Sequence, residues 1–160
     1  PIFSPAAPGP SGSDAVGFTF AADGQRPTDL AKCASGGELS RIMLSLKAMM
    51  ARFKGMPTLI FDEIDAGVSG SVAAKMGEMI CRMGETMQVF SITHLPQVAA
   101  KGKAHYVVSK TFDGGRTTSG IARVEGPGRE MEIARLLSGE SITAEAIANA
   151  RAMLYGGNAL

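Results

Sequence analysis

Two short apolar runs, each closed by residues that can do chemistry, constrain the fold of this chain more than any other feature. Pro57 opens the first, Thr58-Leu-Ile-Phe61, which ends in Asp62-Glu63, and the second, residues 88–92, ends in Thr93-His94. Between them Val72, Met76, Met79, Ile80 and Met83 recur at helical spacing and predict a helix over 71–84. Apolar runs of this length read as strands buried within a sheet. Strand, helix, strand with buried strands implies a parallel α/β sheet with right-handed crossovers. In such sheets the chemistry collects at the carboxyl ends of the strands, where Asp62-Glu63 and Thr93-His94 fall.

The remaining elements arrange themselves around that unit. Leu39, Ile42, Met43, Leu46, Met50 and Phe53 predict a helix over 38–53, and Ser35-Gly-Gly-Glu38 just before it fits a capping box. Val16, Phe18 and Phe20 alternate, consistent with a strand over 14–22, and 23–34 reads as a loop. A short helix is expected around 96–101. Two β-like stretches, 104–111 and 116–124, flank Asp113-Gly-Gly115, a hairpin turn signal, and helices over 128–138 and 143–155 complete the chain. Residues 1–13, rich in Pro, Gly and Ser, read as a flexible lead-in, a linker stub or a non-native remnant, so the folded domain is expected to be 14–160.

Composition narrows the function classes mainly by exclusion. At 160 residues, with 45% apolar residues, the chain suits one globular domain. A formal charge of +1 offers no bulk electrostatic argument for a nucleic-acid surface. Cys33 and Cys81 make neither a disulfide framework nor a C-x-x-C zinc site, and His94 and His105 are too few for a histidine-built metal centre. A reduced, cytoplasmic setting is the expectation. There is no run of about 18 apolar residues to span a membrane and no basic-then-apolar leader.

Each motif has a bland reading beside a chemical one. Asp62-Glu63 resembles a Walker B element, in which one carboxylate serves Mg²⁺ and the next polarises an attacking water; a strand end capped by solvated acids looks the same. Gly36 and Gly37 expose backbone N–H groups at a helix N-terminus, a ready anion site, yet Ser35 and Glu38 equally read as plain helix caps. Arg41, one turn in, either adds positive charge or braces the loop. A strand-end histidine such as His94 is by itself more often structural.

Taken in order and spacing, the three elements resemble the second half of an ABC-type nucleotide-binding head of the SMC-like kind. The strings Ala34-Ser-Gly-Gly-Glu-Leu-Ser-Arg41, Phe61-Asp-Glu-Ile-Asp-Ala-Gly-Val-Ser-Gly70 and Thr93-His-Leu-Pro-Gln-Val-Ala-Ala100 are similar to the RecN family of bacterial DNA repair proteins. The tail, Glu132-Ile-Ala-Arg-Leu-Leu-Ser-Gly139 and residues 143–154, extends the likeness.

The resemblance implies an α/β fold: the C-terminal lobe of a P-loop NTPase head, a mainly parallel sheet flanked by helices with a C-terminal β-hairpin and terminal helices. It implies an ATPase with ATP and Mg²⁺ as cofactors, acting in double-strand-break repair near the nucleoid. Ser35, Gly36, Gly37 and Glu38 would face the γ-phosphate held by a second head. Asp62 would serve Mg²⁺, Glu63 would act as general base, and His94 as the switch histidine. Asp65-Ala-Gly-Val-Ser69 resembles the D-loop, with Ser69 where many such heads carry Asp. The implied partners are the N-terminal half of the same head, a second head and DNA. The head half of another SMC-like or transport-type ATPase, or a catalytically silent interaction domain, are the competing readings.

No G-x-x-x-x-G-K-[ST] phosphate loop occurs in these 160 residues. The chain by itself is therefore expected to release negligible phosphate from ATP, and an N-terminal half supplied in trans should restore turnover. Robust hydrolysis by the chain alone would overturn the split-head reading.

Overall fold

The computed structural model describes residues 1–21, 26–30 and 36–156, the side chains of residues 36–38, 52, 54 and 113 excepted. In chain order the elements are β1 (Ile2–Gly9), β2 (Gly12–Gly17), β3 (Thr19–Phe20), β4 (Thr28–Asp29), α1 (Gly36–Lys54), β5 (Thr58–Asp62), α2 (Gly70–Met83), β6 (Gln88–Ile92), α3 (Pro96–Ala99), β7 (His105–Asp113), β8 (Arg116–Val124), α4 (Gly126–Ser138) and α5 (Ala144–Tyr155).

β5 and β6 pair in parallel, with Leu59 opposite Val89, Phe61 opposite Ser91 and Asp62 opposite Ile92. The crossover between them is α2, whose buried stripe of Ala73, Met76, Ile80 and Met83 matches the apolar periodicity. Phe61, fully buried, joins that stripe together with Leu44 of α1, Val68 and Val98 of α3. A second cluster of Ala100, Ile133, Ala134, Ala146 and Ala150 packs α4 against α5. Small side chains there let the two helices approach closely.

The short α3 connects the two clusters, because Val98 points into one and Ala100 into the other. The Arg129 guanidinium of α4 donates from Nη2 to the carbonyls of Ala100 (3.0 Å) and Gly102 (2.6 Å), closing the frayed end of α3. Arg151 reaches back from α5 to Glu130 at 2.7 Å. β7 and β8 form the expected antiparallel hairpin. Its two-residue turn, Gly114-Gly115, has φ of 54° and 87°, the left-handed pair that a tight hairpin needs.

Three expectations are corrected. Residues 2–9 are not a flexible lead-in but a strand, β1, paired antiparallel with β2. Gly12, at φ 106°, supplies the turn, and the register shifts between Pro5 and Gly9, where prolines withhold N–H groups from the ladder. β5 and β6 are not buried on both faces. Leu59, Phe61 and Val89 lie toward the core, whereas Ile60 (61% exposed), Phe90 and Ile92 form an open apolar face. On α1 the predicted stripe is half-buried at Ile42 but exposed at Leu39, Met43, Leu46, Met50 and Phe53, and Leu44 and Ala51 are the buried residues. The helix is apolar on two sides, so periodicity could not tell which one packs here. The capping box rests on Ser35, outside the described residues, and most of the expected 23–34 loop lies there too. No described helix is long and apolar enough to cross a membrane.

Gly77 provides a direct test of how α2 meets α3. A Cβ on it would lie 2.9 Å from the Gln97 carbonyl oxygen and 3.2 Å from Val98 Cα. Gly-to-Ala inside a helix ordinarily stabilises by about 1 kcal/mol. Here Gly77→Ala should instead destabilise by about 1–3 kcal/mol through overpacking, read from denaturant melts. A stabilised variant would mean that α3 does not sit on α2.

Candidate functional site

Parallel pairing decides where the candidate residues meet. β5 and β6 run the same way in register, so Asp62-Glu63 and Thr93-His94 leave the sheet at the same end. The two exits are tied together: the Glu63 N–H donates to the Ile92 carbonyl at 3.1 Å, one residue beyond the ladder. Asp62, Glu63 and His94 are all exposed there, open to a ligand.

Glu63 has φ of 45°, the only described non-glycine residue in the left-handed region. Holding such a residue there costs on the order of 1–3 kcal/mol and requires the surroundings to enforce it. The enforcement is visible. Ala66 N–H donates to the Glu63 carbonyl and Val68 N–H to the Asp65 carbonyl, both at 3.1 Å. Val68 then buries its side chain in the core, so the turn after β5 is pinned from beneath. Gly67 (φ 74°) and Gly70 (φ 57°) supply the further left-handed steps that bring the chain round into α2.

Asp65 is the buried charge of this turn, only 1% exposed. Its Oδ2 accepts a hydrogen bond from Thr93 Oγ1, and Thr93 Oγ1 accepts one from Leu95 N–H at 2.9 Å. Asp65 Oδ1 has no hydrogen-bond partner among the described residues. In sequence, Thr93 closes a strand and Asp65 belongs to a loop motif, and nothing joins them. The two are 28 residues apart and no periodic signal links them. The only available clue was a carboxylate set among small and apolar residues, Ile64 and Ala66-Gly-Val68.

Ser35 lies outside the described residues. Gly36, Gly37 and Glu38 form the first turn of α1, where backbone N–H groups have no partner within the helix; the side chains at 36–38 are likewise outside what is described. Among the described residues no three His, Cys, Asp or Glu side chains converge as a metal cage. Two adjacent exposed carboxylates suit a hard cation that keeps most of its water and takes further oxygens from phosphates, which is how Mg²⁺ commonly binds.

No protein-family model matches the chain. Individual proteins do. It is 44% identical over 148 residues to the DNA repair protein RecN of Xylella fastidiosa, a stretch covering 92% of this chain and 27% of that protein. It is 42% identical over 146 residues to RecN of Vibrio cholerae and 43% identical over 150 residues to RecN of Treponema pallidum, each 26% covered. The chain resembles RecN over nearly its whole length. It spans about a quarter of the RecN proteins it matches.

Among solved structures, the Smc head domain with coiled coil and joint from Pyrococcus yayanosii aligns with a TM-score of 0.65 at 20% identity, covering 82% of this chain and 23% of that one. An SMC ATPase studied for ATP-driven dimerization and DNA-stimulated activation aligns with a TM-score of 0.62 at 19% identity, covering 82% and 76%. The RecN-like chain has the fold of an SMC head domain.

Proposed function

We propose that this chain is the C-terminal half of the ATP-hydrolysing head of a RecN-like DNA repair protein, acting in double-strand-break repair and recombination. The observation that supports it best is the convergence of Asp62-Glu63 and Thr93-His94 at one end of two paired parallel strands. In this reading Asp62 holds Mg²⁺, through its water shell or directly. Mg²⁺, when bound, supplies charge that offsets the negative charge gathering on the phosphates. Glu63 orients a water in line with the γ-phosphate and takes its proton as the oxygen attacks. His94 donates a hydrogen bond to the γ-phosphate and helps fix that water.

Ser35, Gly36, Gly37 and Glu38 form the signature turn. Its backbone N–H groups meet the γ-phosphate of a nucleotide carried by a second head, so that ATP drives dimerisation. The open faces of the structure support a further partner, the N-terminal half of the same head with its phosphate loop. Ile60, Phe90 and Ile92 on the sheet and Met49, Met50 and Phe53 (93% exposed) on α1 are the kind of apolar surface that a partner covers. DNA is engaged by the complete protein rather than by this nearly neutral segment, in a cytoplasmic, nucleoid-associated setting.

In the complete protein, Glu63→Gln should lower ATP turnover by about 10²-fold or more while ATP binding survives, since general-base catalysis typically contributes roughly 10²–10⁴-fold. ATP-bound head dimers should then accumulate in size-exclusion profiles. Near-wild-type turnover would remove Glu63 from the water-activating role and favour a silent interaction domain. Gly37→Val should abolish ATP-dependent dimerisation while single-head ATP affinity and melting temperature hold. A destabilised variant that still dimerises with ATP would reduce the 35–38 turn to a helix cap.

A further inference from the structure

The buried acid of the turn after β5 has no part in the chemistry above, yet it sits between the two loops that carry it. Asp65 lies two residues after Glu63, and Thr93 is the residue before His94. The hydroxyl of Thr93 has one proton and gives it to Asp65 Oδ2; it takes one in return from Leu95 N–H at 2.9 Å. That second bond spans the backbone of His94, in the manner of a Ser/Thr turn. Leu95 then leads directly into Pro96, the first residue of α3, so His94 is bracketed between a hydrogen-bonded hydroxyl and a ring-locked helix start. On the other side, the Glu63 N–H donates to the Ile92 carbonyl, and the Glu63 carbonyl accepts from Ala66 N–H. The loop of Glu63 and the loop of His94 are thus cross-linked twice, once through backbone and once through side chains.

We propose that Asp65, acting through Thr93, is a positioning residue that holds His94 and the strained Glu63 in fixed register across the two loops. The inference rests on the site reading above. Three features support positioning over a mere structural joint. A neutral acceptor would bridge to Thr93 at lower desolvation cost than a carboxylate that is only 1% exposed. A charge-assisted hydrogen bond is stiffer than a neutral one and holds the Thr93 rotamer, hence the turn around His94, more tightly. The left-handed Glu63 needs its surroundings to over-determine it, and among the described residues this cross-link is the side-chain bond that joins the two loops.

The test uses the complete protein and separates rate from affinity. Thr93→Val keeps the side-chain shape but removes the hydroxyl. It should lower kcat by about tenfold or more, since misplacing a reacting group by about 1 Å can cost about 10²-fold. ATP affinity should change little, because the nucleotide is held by the other half of the head. The melting temperature should fall, since the buried Asp65 carboxylate and the Leu95 N–H lose their partner, so kcat is read per folded molecule. Thr93→Ser keeps the hydroxyl and should return kcat to near the wild-type value. Should Thr93→Val fail to fold, Thr93→Ala, which leaves room for a water beside Asp65 and Leu95 N–H, should show the same loss in kcat. Wild-type kcat in the variant lacking the hydroxyl overturns the proposal. So does a loss that tracks ATP affinity and folded fraction together and is not rescued by Ser. Glu63→Gln run alongside distinguishes the two failures: an active Glu63→Gln removes the site reading itself, whereas an inactive Glu63→Gln beside an active Thr93→Val removes only the coupling.

Discussion

Burial of Phe61 is the contact on which the rest of the structure depends. It is the last apolar residue of β5, and it packs into one cluster with Leu44 of α1, Met76 and Ile80 of α2 and Val98 of α3. Fully burying an aromatic side chain of this size is worth about 1.5–3 kcal/mol in transfer alone. The alternation of side chains along a strand then dictates its neighbours: with Phe61 facing the helices, Ile60 and Asp62 face the other way. One core residue thus sets both the apolar character of the open sheet face and the outward aim of the first candidate carboxylate. The parallel pairing with β6 brings the Thr93-His94 exit beside it.

Around that anchor the turn after β5 is unusually constrained for a loop. It combines a left-handed Glu63, a buried Asp65, a buried Val68 and two left-handed glycines within eight residues. Loops that carry function are commonly strained segments held by a rigid scaffold. Here the scaffold is local: the backbone bond from Glu63 to Ile92 and the side-chain bond from Thr93 to Asp65 close a ring that spans both strand ends. The exposed residues Asp62, Glu63 and His94 project from this ring. Rigidity beneath and exposure above are what a site needs if it is to meet a ligand without rearranging.

The apolar surfaces left open tell a complementary story. The outer face of β5 and β6, the outer stripe of α1 and the hairpin residues Tyr106, Val108, Phe112 and Ile121 are exposed together on a chain whose core is otherwise ordinary. Apolar surface of this extent is the kind that a partner covers, the role proposed above for the other half of the head. The runs 58–61 and 88–92 contribute to that open surface. Those runs have the composition of strands covered on both sides, and only one side is covered within these residues.

The sequence by itself determined the local elements and marked the residues proposed to carry chemistry. Helical spacing of Met76, Ile80 and Met83 set α2, Asp113-Gly-Gly115 set the hairpin, and the acids and histidine at the strand ends marked the candidate site. These are nearest-neighbour facts, written in residue order with a period of two or about 3.6. Three things were decided only by the tertiary structure. Which side of α1 packs was settled by the reach of Leu44 to Phe61, because both sides of the helix are apolar. Residues 2–9 became a strand because β2 offered a ladder, although their Pro-rich composition argued against one. The union of Asp65 with Thr93 exists only because parallel pairing brings residues 28 apart in sequence within hydrogen-bonding reach, a distance that no local pattern encodes.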